Sequence, residues 1–155
     1  MSFVSDDLIN HLVQTRNLFL KHLQGVTEEQ TEWKPYPECM SIKETLAHLI
    51  CDDRSSLDGL RSGREPDYDA HREHERDFGK LVELLHQSHS DLIGFLRERY
   101  GASALDEMVT LWGQERKLGS ALAFLTSEDY YHAGQVAFIR LATNPEWDYY
   151  GEIFE

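Results

Sequence analysis

Glu128 and His132, in the segment 127–135, are the residues of this sequence whose types and spacing point most directly to chemistry. They are four positions apart, so in a helix both side chains leave the same face, one turn apart. That face continues through apolar residues such as Leu125 and Ile139, which predicts that it packs inward. Burying a carboxylate or an imidazole without a partner is costly. The pair therefore needs either a metal ion or a hydrogen bond between the two side chains, and the spacing alone leaves both open.

Other histidines are candidates for the same chemistry. His48 lies beside the apolar stripe of an earlier predicted helix, and a lone histidine in that position is more often a packed, hydrogen-bonded residue than a ligand. The pairs His71/His74 and His86/His89 are spaced i, i+3, which suits a metal ion. The first pair lies in a charged run, which is typical of a solvated helix end.

The elements that must position these residues are predicted to be helices. Apolar residues recur at helical spacing over about 6–23, 42–60, 70–100 and 120–143. Ser41 and Glu44 form a capping box that begins the second helix. The segment 105–118 breaks the helical period, which predicts an extended or hairpin-like excursion.

Four long helices without a convincing sheet predict an all-α fold, a four-helix bundle. The length suits a single domain over residues 1–155, with a core of about 5–143. Because the connection 61–67 is short, we expect the second and third helices to be antiparallel. The aromatic C-terminal tail, 144–155, is expected either to cover the bundle or to meet a partner chain.

Charge and composition exclude several classes of partner. The formal net charge is −13, from 28 acidic and 15 basic residues, and such a field repels phosphate backbones and anionic lipid. We therefore expect no nucleic acid and no membrane partner. No apolar run approaches the roughly 18–20 residues of a membrane span, and the start of the chain lacks signal-peptide features. These observations predict a soluble cytoplasmic protein in which Cys39 and Cys51 are free thiols.

Several local patterns together resemble one known family. In order and spacing, the chain is similar to the DinB-like superfamily of metal-binding four-helix bundles over about residues 5–143. The patterns that carry the resemblance are Trp33-x-Pro35, Ser41-Ile42-x-Glu44-x-Leu46-x-His48, Leu111-Trp112-Gly113 and Tyr131-His132-Ala133-Gly134-Gln135.

The resemblance implies a metal site. Members bind a divalent ion through one histidine on the second helix and two, spaced i, i+4, on the fourth. By position these are His48, His132 and residue 128, which here is Glu128. Two histidines and a carboxylate are a known catalytic zinc set and also the facial set of non-haem Fe(II) enzymes, so the ion is expected to be Ni, Zn, Mn or Fe. Tyr131 and Gln135 are candidates to contact these ligands.

The resemblance also implies a function. Related enzymes include thiol-dependent S-transferases and the mycothiol-dependent maleylpyruvate isomerase. We therefore expect a metal-dependent S-transferase or hydrolase that acts on a small molecule with a low-molecular-weight thiol, and a homodimer. The alternative is a non-catalytic bundle with a vestigial metal site that serves assembly or binding, because the family's third histidine is replaced by Glu128.

Overall fold

Four long helices dominate the structure, a computed structural model that describes residues 5–155. The predicted all-α bundle is confirmed, and none of the described helices is long and apolar enough to cross a membrane. The lack of signal-peptide features is a prediction that involves residues 1–4, which lie outside the described range. The elements are α1 (Ser5–His22), α2 (Glu28–Glu32), α3 (Ile42–Ser62), α4 (Tyr68–His71), α5 (Phe78–Tyr100), β1 (Met108–Leu111), β2 (Gln114–Lys117), α6 (Leu118–Thr143) and α7 (Tyr149–Phe154).

The capping box predicted for the second helix is present at the start of α3. The backbone N–H of Glu44 donates to the Ser41 hydroxyl, and the Ser41 N–H donates to the Glu44 carboxylate at 2.8 Å. Both groups would otherwise be free donors of the first helical turn. At the other end, Gly63 has a φ of 67°, in the left-handed region that ends helices. These caps fix the length of the helix that carries His48.

The long helices form a ring in which α1 and α3 each contact both α5 and α6. Leu46 and Leu85 share one core cluster, and Leu60 and Leu96 share the other. Residues early in α3 therefore pack against residues early in α5, and residues late in α3 pack against residues late in α5. The two helices are parallel, so the expected antiparallel arrangement of the second and third long helices is wrong.

A return segment, residues 63–77, makes the parallel pairing possible. It runs back along α3, with Asp58 Oδ2 at 3.0 Å from His71 Nε2, and Arg54 donating to Glu73 at 2.9 Å. An extended chain spans about twice the distance per residue of a helix, which suits this return path. The predicted single helix over 70–100 is therefore wrong in its first part.

Local bonds in the charged run explain that break. The Glu73 side chain accepts from the N–H groups of His74 and Glu75, and Asp77 accepts from the N–H of Lys80 to cap α5. Acidic side chains that bind nearby backbone donors compete with a continuous helix.

The predicted hairpin is confirmed as β1 and β2, which pair antiparallel with Leu111 opposite Gln114. Its turn residues, Trp112 and Gly113, both have positive φ, at 50° and 69°, as tight hairpin turns require. The Trp112 indole donates to the Ser56 hydroxyl at 2.9 Å, so the hairpin is attached to α3.

The C-terminal tail folds back onto its own bundle. Trp147 and Ile153 are buried in a cluster with Ala137. The Arg140 guanidinium lies 3.8 Å from the centre of the Trp147 ring, a cation–π contact. The first of the two expected roles of the tail is thus observed, although Tyr150 remains 73% exposed.

Candidate metal centre

His48 on α3 and Glu128 and His132 on α6 converge where these two helices face each other. One ligand atom from each lies within 4.8 Å of the others, so the group could hold a metal ion. The His132 side chain is 2% exposed, whereas those of Glu128 and His48 are 26% and 38% exposed. The group is therefore closed at His132 and reaches solvent at Glu128 and His48.

His132 is oriented by a neighbour on its own helix. Its Nδ1 lies 2.6 Å from Gln135 Oε1, which places the ring proton on Nδ1 and leaves the Nε2 lone pair free. Nε2 is 3.7 Å from Glu128 Oε2, which is too far for a hydrogen bond. The metal-free Glu128–His132 hydrogen bond considered from the sequence is therefore not formed. The Tyr131 ring, the other candidate contact, lies edge-on at 5.1 Å from His132.

Asp52, which was not predicted as a ligand, lies beside His48 at the edge of this group and is not one of the three residues whose ligand atoms converge. It follows His48 by one turn of α3, and its Oδ2 lies 3.1 Å from His48 Nε2. The signal in the sequence is the same four-residue spacing that marks Glu128 and His132. Among residues 5–155, no protein group donates a hydrogen bond to the carboxylate of Asp52 or of Glu128.

The environment disfavours charge on all four side chains. Burial lowers the pKa of His48. Burial also lowers the pKa of His132, and the positive charges of His48 and Arg16 act in the same direction. Burial also raises the pKa of Glu128. Burial and the negative charge of Glu128 together raise the pKa of Asp52 to about 7. Neutral imidazoles beside two mutually repelling carboxylates make a site that a divalent cation would stabilise. Imidazole nitrogens and carboxylate oxygens are also ligands that Zn, Mn, Fe and Ni accept, so the residues fit such an ion.

A buried ion network lies directly beneath the group. The Arg16 guanidinium donates to both oxygens of Asp53, at 2.9 and 3.0 Å, and to Asp129 at 2.8 Å. These aspartates are the chain neighbours of Asp52 and Glu128, so Arg16 fixes α3 and α6 against α1 at the level of the site. Burial alone would raise the pKa of Asp53, but the charge of Arg16 holds it at about 2.

Sequence reasoning missed this network, although a signal for it exists. Arg16 lies four residues after Leu12 and three before Phe19, both of which are core residues. A charged residue at such a position in an apolar stripe must find a buried partner.

The remaining candidate histidines do not join the site. His71 pairs with Asp58, and His86 lines a different groove, beside α1. His89 is buried near Asp53, on the opposite side of α3 from His48. Cys39 and Cys51 are free thiols, as predicted.

A groove runs along the outer side of α6, next to His132. Its volume is about 680 Å³, and its lining is mostly apolar. Gln135 lines it and also contacts His132, so the groove and the metal group share a wall. The other lining residues that matter here are Tyr36, Cys39, Met40, Tyr131 and Phe138.

Comparison with known proteins agrees with this architecture. The sequence profile of the DinB superfamily matches residues 11–136, which is more than half of the chain. The crystal structure of a DinB-like protein from Bacillus subtilis is similar in fold, with a TM-score of 0.67 and 16% identity over 93% of this chain and 97% of that one. No curated protein matches the chain. The resemblance found in the sequence is thus confirmed, and this chain belongs to the DinB superfamily.

Proposed function

We propose that the protein binds a divalent metal ion through His48, Glu128 and His132 and acts as a metal-dependent enzyme on a small molecule. One observation carries this proposal: the ligand atoms of the three residues lie within 4.8 Å of one another. The Arg16 guanidinium is already bound to Asp53 and Asp129, so it does not neutralise Glu128.

The chain's own residues would bind the ion, orient the ligands and admit the substrate. Gln135 holds the His132 ring with Nε2 toward the group, and the partial exposure of His48 and Glu128 leaves one side accessible to a small molecule. When bound, the ion would lower the pKa of a thiol or water and so supply a nucleophile near neutral pH.

A low-molecular-weight thiol is our preferred co-substrate, in an S-transferase reaction; in a hydrolase reaction, water would take its place. Membership of the DinB superfamily supports this choice, as does the mostly apolar groove beside His132, which suits the organic part of a substrate. Glu128 supplies a harder oxygen ligand than the imidazole it replaces, so we expect the preference to move toward Mn, Fe or Ni.

Metal content tests the proposal directly. Protein purified under metal-replete conditions should hold one ion per chain by elemental analysis, and chelation should lower its melting temperature, because the ion binds only the folded state. His48→Gln should lose the ion, whereas His74→Gln, in the exposed charged run, should retain it. Protein that holds no ion and shows no thermal shift with Mn, Fe, Ni or Zn would refute the proposal.

Thiol access is tested with the cobalt-substituted protein. Addition of cysteine or glutathione should produce a sulfur-to-cobalt charge-transfer band if the thiolate reaches the ion. Binding of cobalt without any such band would leave the metal site intact but refute the thiol assignment.

An outer face of α6 supports assembly as a second role. Tyr130, Tyr131 and Phe138 are 48%, 65% and 57% exposed, on one helix. Large apolar side chains exposed together usually mark an interface. We therefore propose that the chain forms a homodimer through α6. Tyr131 and Phe138 also line the groove beside His132, so such a dimer would cover that groove, and this role fits the non-catalytic alternative better than catalysis.

A further inference from the structure

We propose that Asp52 is a fourth protein ligand, which makes the centre a site of two imidazoles and two carboxylates. This inference rests on the proposed metal site and adds a residue that the resemblance to the superfamily does not supply. It is argued from the placement of Asp52, from its geometry toward His48, and from the partners it lacks.

The placement of Asp52 mirrors that of Glu128. Asp52 lies one turn after His48 on α3, and Glu128 lies one turn before His132 on α6. The rings of His48 and His132 meet edge to face, with centroids 5.0 Å apart. Ile42 and Leu46, early in α3, share a core cluster with Val136 and Ile139, late in α6, so the two helices are antiparallel. Asp52 and Glu128 therefore lie at the same level of the bundle, and the charge of Glu128 raises the pKa of Asp52. Each helix thus contributes one imidazole and one carboxylate.

The contact between Asp52 and His48 has the spacing of two ligands that share one ion. Oδ2 of Asp52 lies 3.1 Å from Nε2 of His48. Ligands about 2.0–2.2 Å from one ion lie about 3 Å from each other, off each other's lone-pair axis.

Asp52 also lacks the partners that its neighbours have. Its side chain is 19% exposed and accepts no hydrogen bond from residues 5–155. The next residue, Asp53, binds Arg16 and Ser88, and Asp58 on the same helix pairs with His71. A mostly buried carboxylate with no donor is stabilised if it coordinates a cation.

Two carboxylates would change the chemistry of the site. Together they balance the charge of a divalent ion, and they add a second hard oxygen. We therefore expect Mn²⁺ or Fe²⁺ to be favoured more strongly than by the three predicted ligands alone.

The first test measures the affinity of the full chain for Mn²⁺ from the electron paramagnetic resonance signal of the free ion. Asp52→Asn should weaken binding by at least about tenfold. Asp58→Asn, a matched change on the same helix, should leave it unchanged. Equal affinity of Asp52→Asn and the parent overturns the inference.

The second test places a thiol at the same position. Asp52→Cys, loaded with Co²⁺, should show a sulfur-to-cobalt charge-transfer band, and Asp58→Cys should show none. Absence of the band in folded Asp52→Cys overturns direct ligation, whatever the affinity of Asp52→Asn. If Asp52→Cys does not fold by circular dichroism, the Mn²⁺ affinity of Asp52→Asn decides alone.

Metal binding by the unsubstituted protein (the parent) distinguishes failure of this inference from failure of the proposed function. If the parent binds neither Mn²⁺ nor Co²⁺, the metal site itself is refuted. If the parent binds the ions, and Glu128→Gln weakens binding while the Asp52 variants behave as the parent does, only the fourth ligand is refuted.

Discussion

The buried guanidinium of Arg16 should be one of the largest single contributors to the stability of this fold. Arg16 is 4% exposed, and its two partners, Asp53 and Asp129, are 5% and 1% exposed. Arg16→Met would leave both carboxylates without their cation, although Ser88 would still donate to Asp53. Removal of one partner from a buried ion pair costs about 3–5 kcal/mol. For a chain of this size, that loss lowers the melting temperature by roughly 6–20 °C.

The assay is urea unfolding followed by circular dichroism, with EDTA present so that metal binding does not contribute. Arg97→Met is the matched control, because the Arg97 side chain is 49% exposed and lies 4.0 Å from Asp6. Such an exposed pair contributes about 0–1 kcal/mol. A loss for Arg16→Met no larger than that for Arg97→Met would refute the reasoning.

A triple variant separates the value of the network from the penalty of breaking it. Arg16→Met combined with Asp53→Leu and Asp129→Leu removes all three charges and fills their volume with apolar groups. Such replacements are often neutral or stabilising. The triple variant should therefore recover much of the stability that Arg16→Met loses. No recovery would mean that the loss comes from packing of the arginine side chain rather than from unpaired carboxylates.

The other predictions concern the site, the tail, the interface and the hairpin. Glu128→Gln should weaken metal binding, and Glu128→His should retain a site that favours zinc. Equal metal affinity of Glu128→Gln and the parent would show that the carboxylate is not a ligand. A chain that ends at Pro145 should lose about 3–5 kcal/mol of unfolding free energy with its buried tryptophan, and unchanged stability would contradict the observed packing. Light scattering should show a dimer that Phe138→Glu dissociates, and a monomeric parent would refute the interface. Gly113→Ala should lower the free energy of unfolding by about 1–3 kcal/mol, because φ is 69° and an added Cβ would lie 2.8 Å from a neighbouring side chain. Gly94→Ala, where an added Cβ would meet open space, should not destabilise the protein. Equal effects of the two substitutions would contradict the strain argument.

The sequence predicted the elements better than their arrangement. Apolar spacing and the capping box at Ser41 locate helices, because both are local properties of the chain. They indicate which face of a helix is buried but not which helix covers it. The parallel pairing of α3 and α5 depends on the return segment 63–77, part of which the apolar spacing predicts as the start of the helix over 70–100. Only tertiary contacts, such as that of Arg54 with Glu73, show its extended path.

The candidate site was predictable to the extent that its parts are local. Glu128 and His132 stand out by their spacing, and the resemblance to the superfamily adds His48. Whether these residues form a metal-free pair or an open group depends on a distance of 3.7 Å, which the sequence does not contain. Arg16 was missed because its partners are 37 and 113 positions away along the chain.

The side-by-side packing of α1 and α6 has a consequence for the order of events during synthesis. Arg16 cannot meet Asp129 until the ribosome has released the last long helix, since the two residues are 113 positions apart. Contacts so distant in sequence form late and slow the search for the native state. Two of the three candidate metal ligands, Glu128 and His132, lie on that same helix, so nascent chains that lack it offer no complete site. Capture of an ion would therefore require synthesis through α6 and could not guide the folding of a shorter nascent chain.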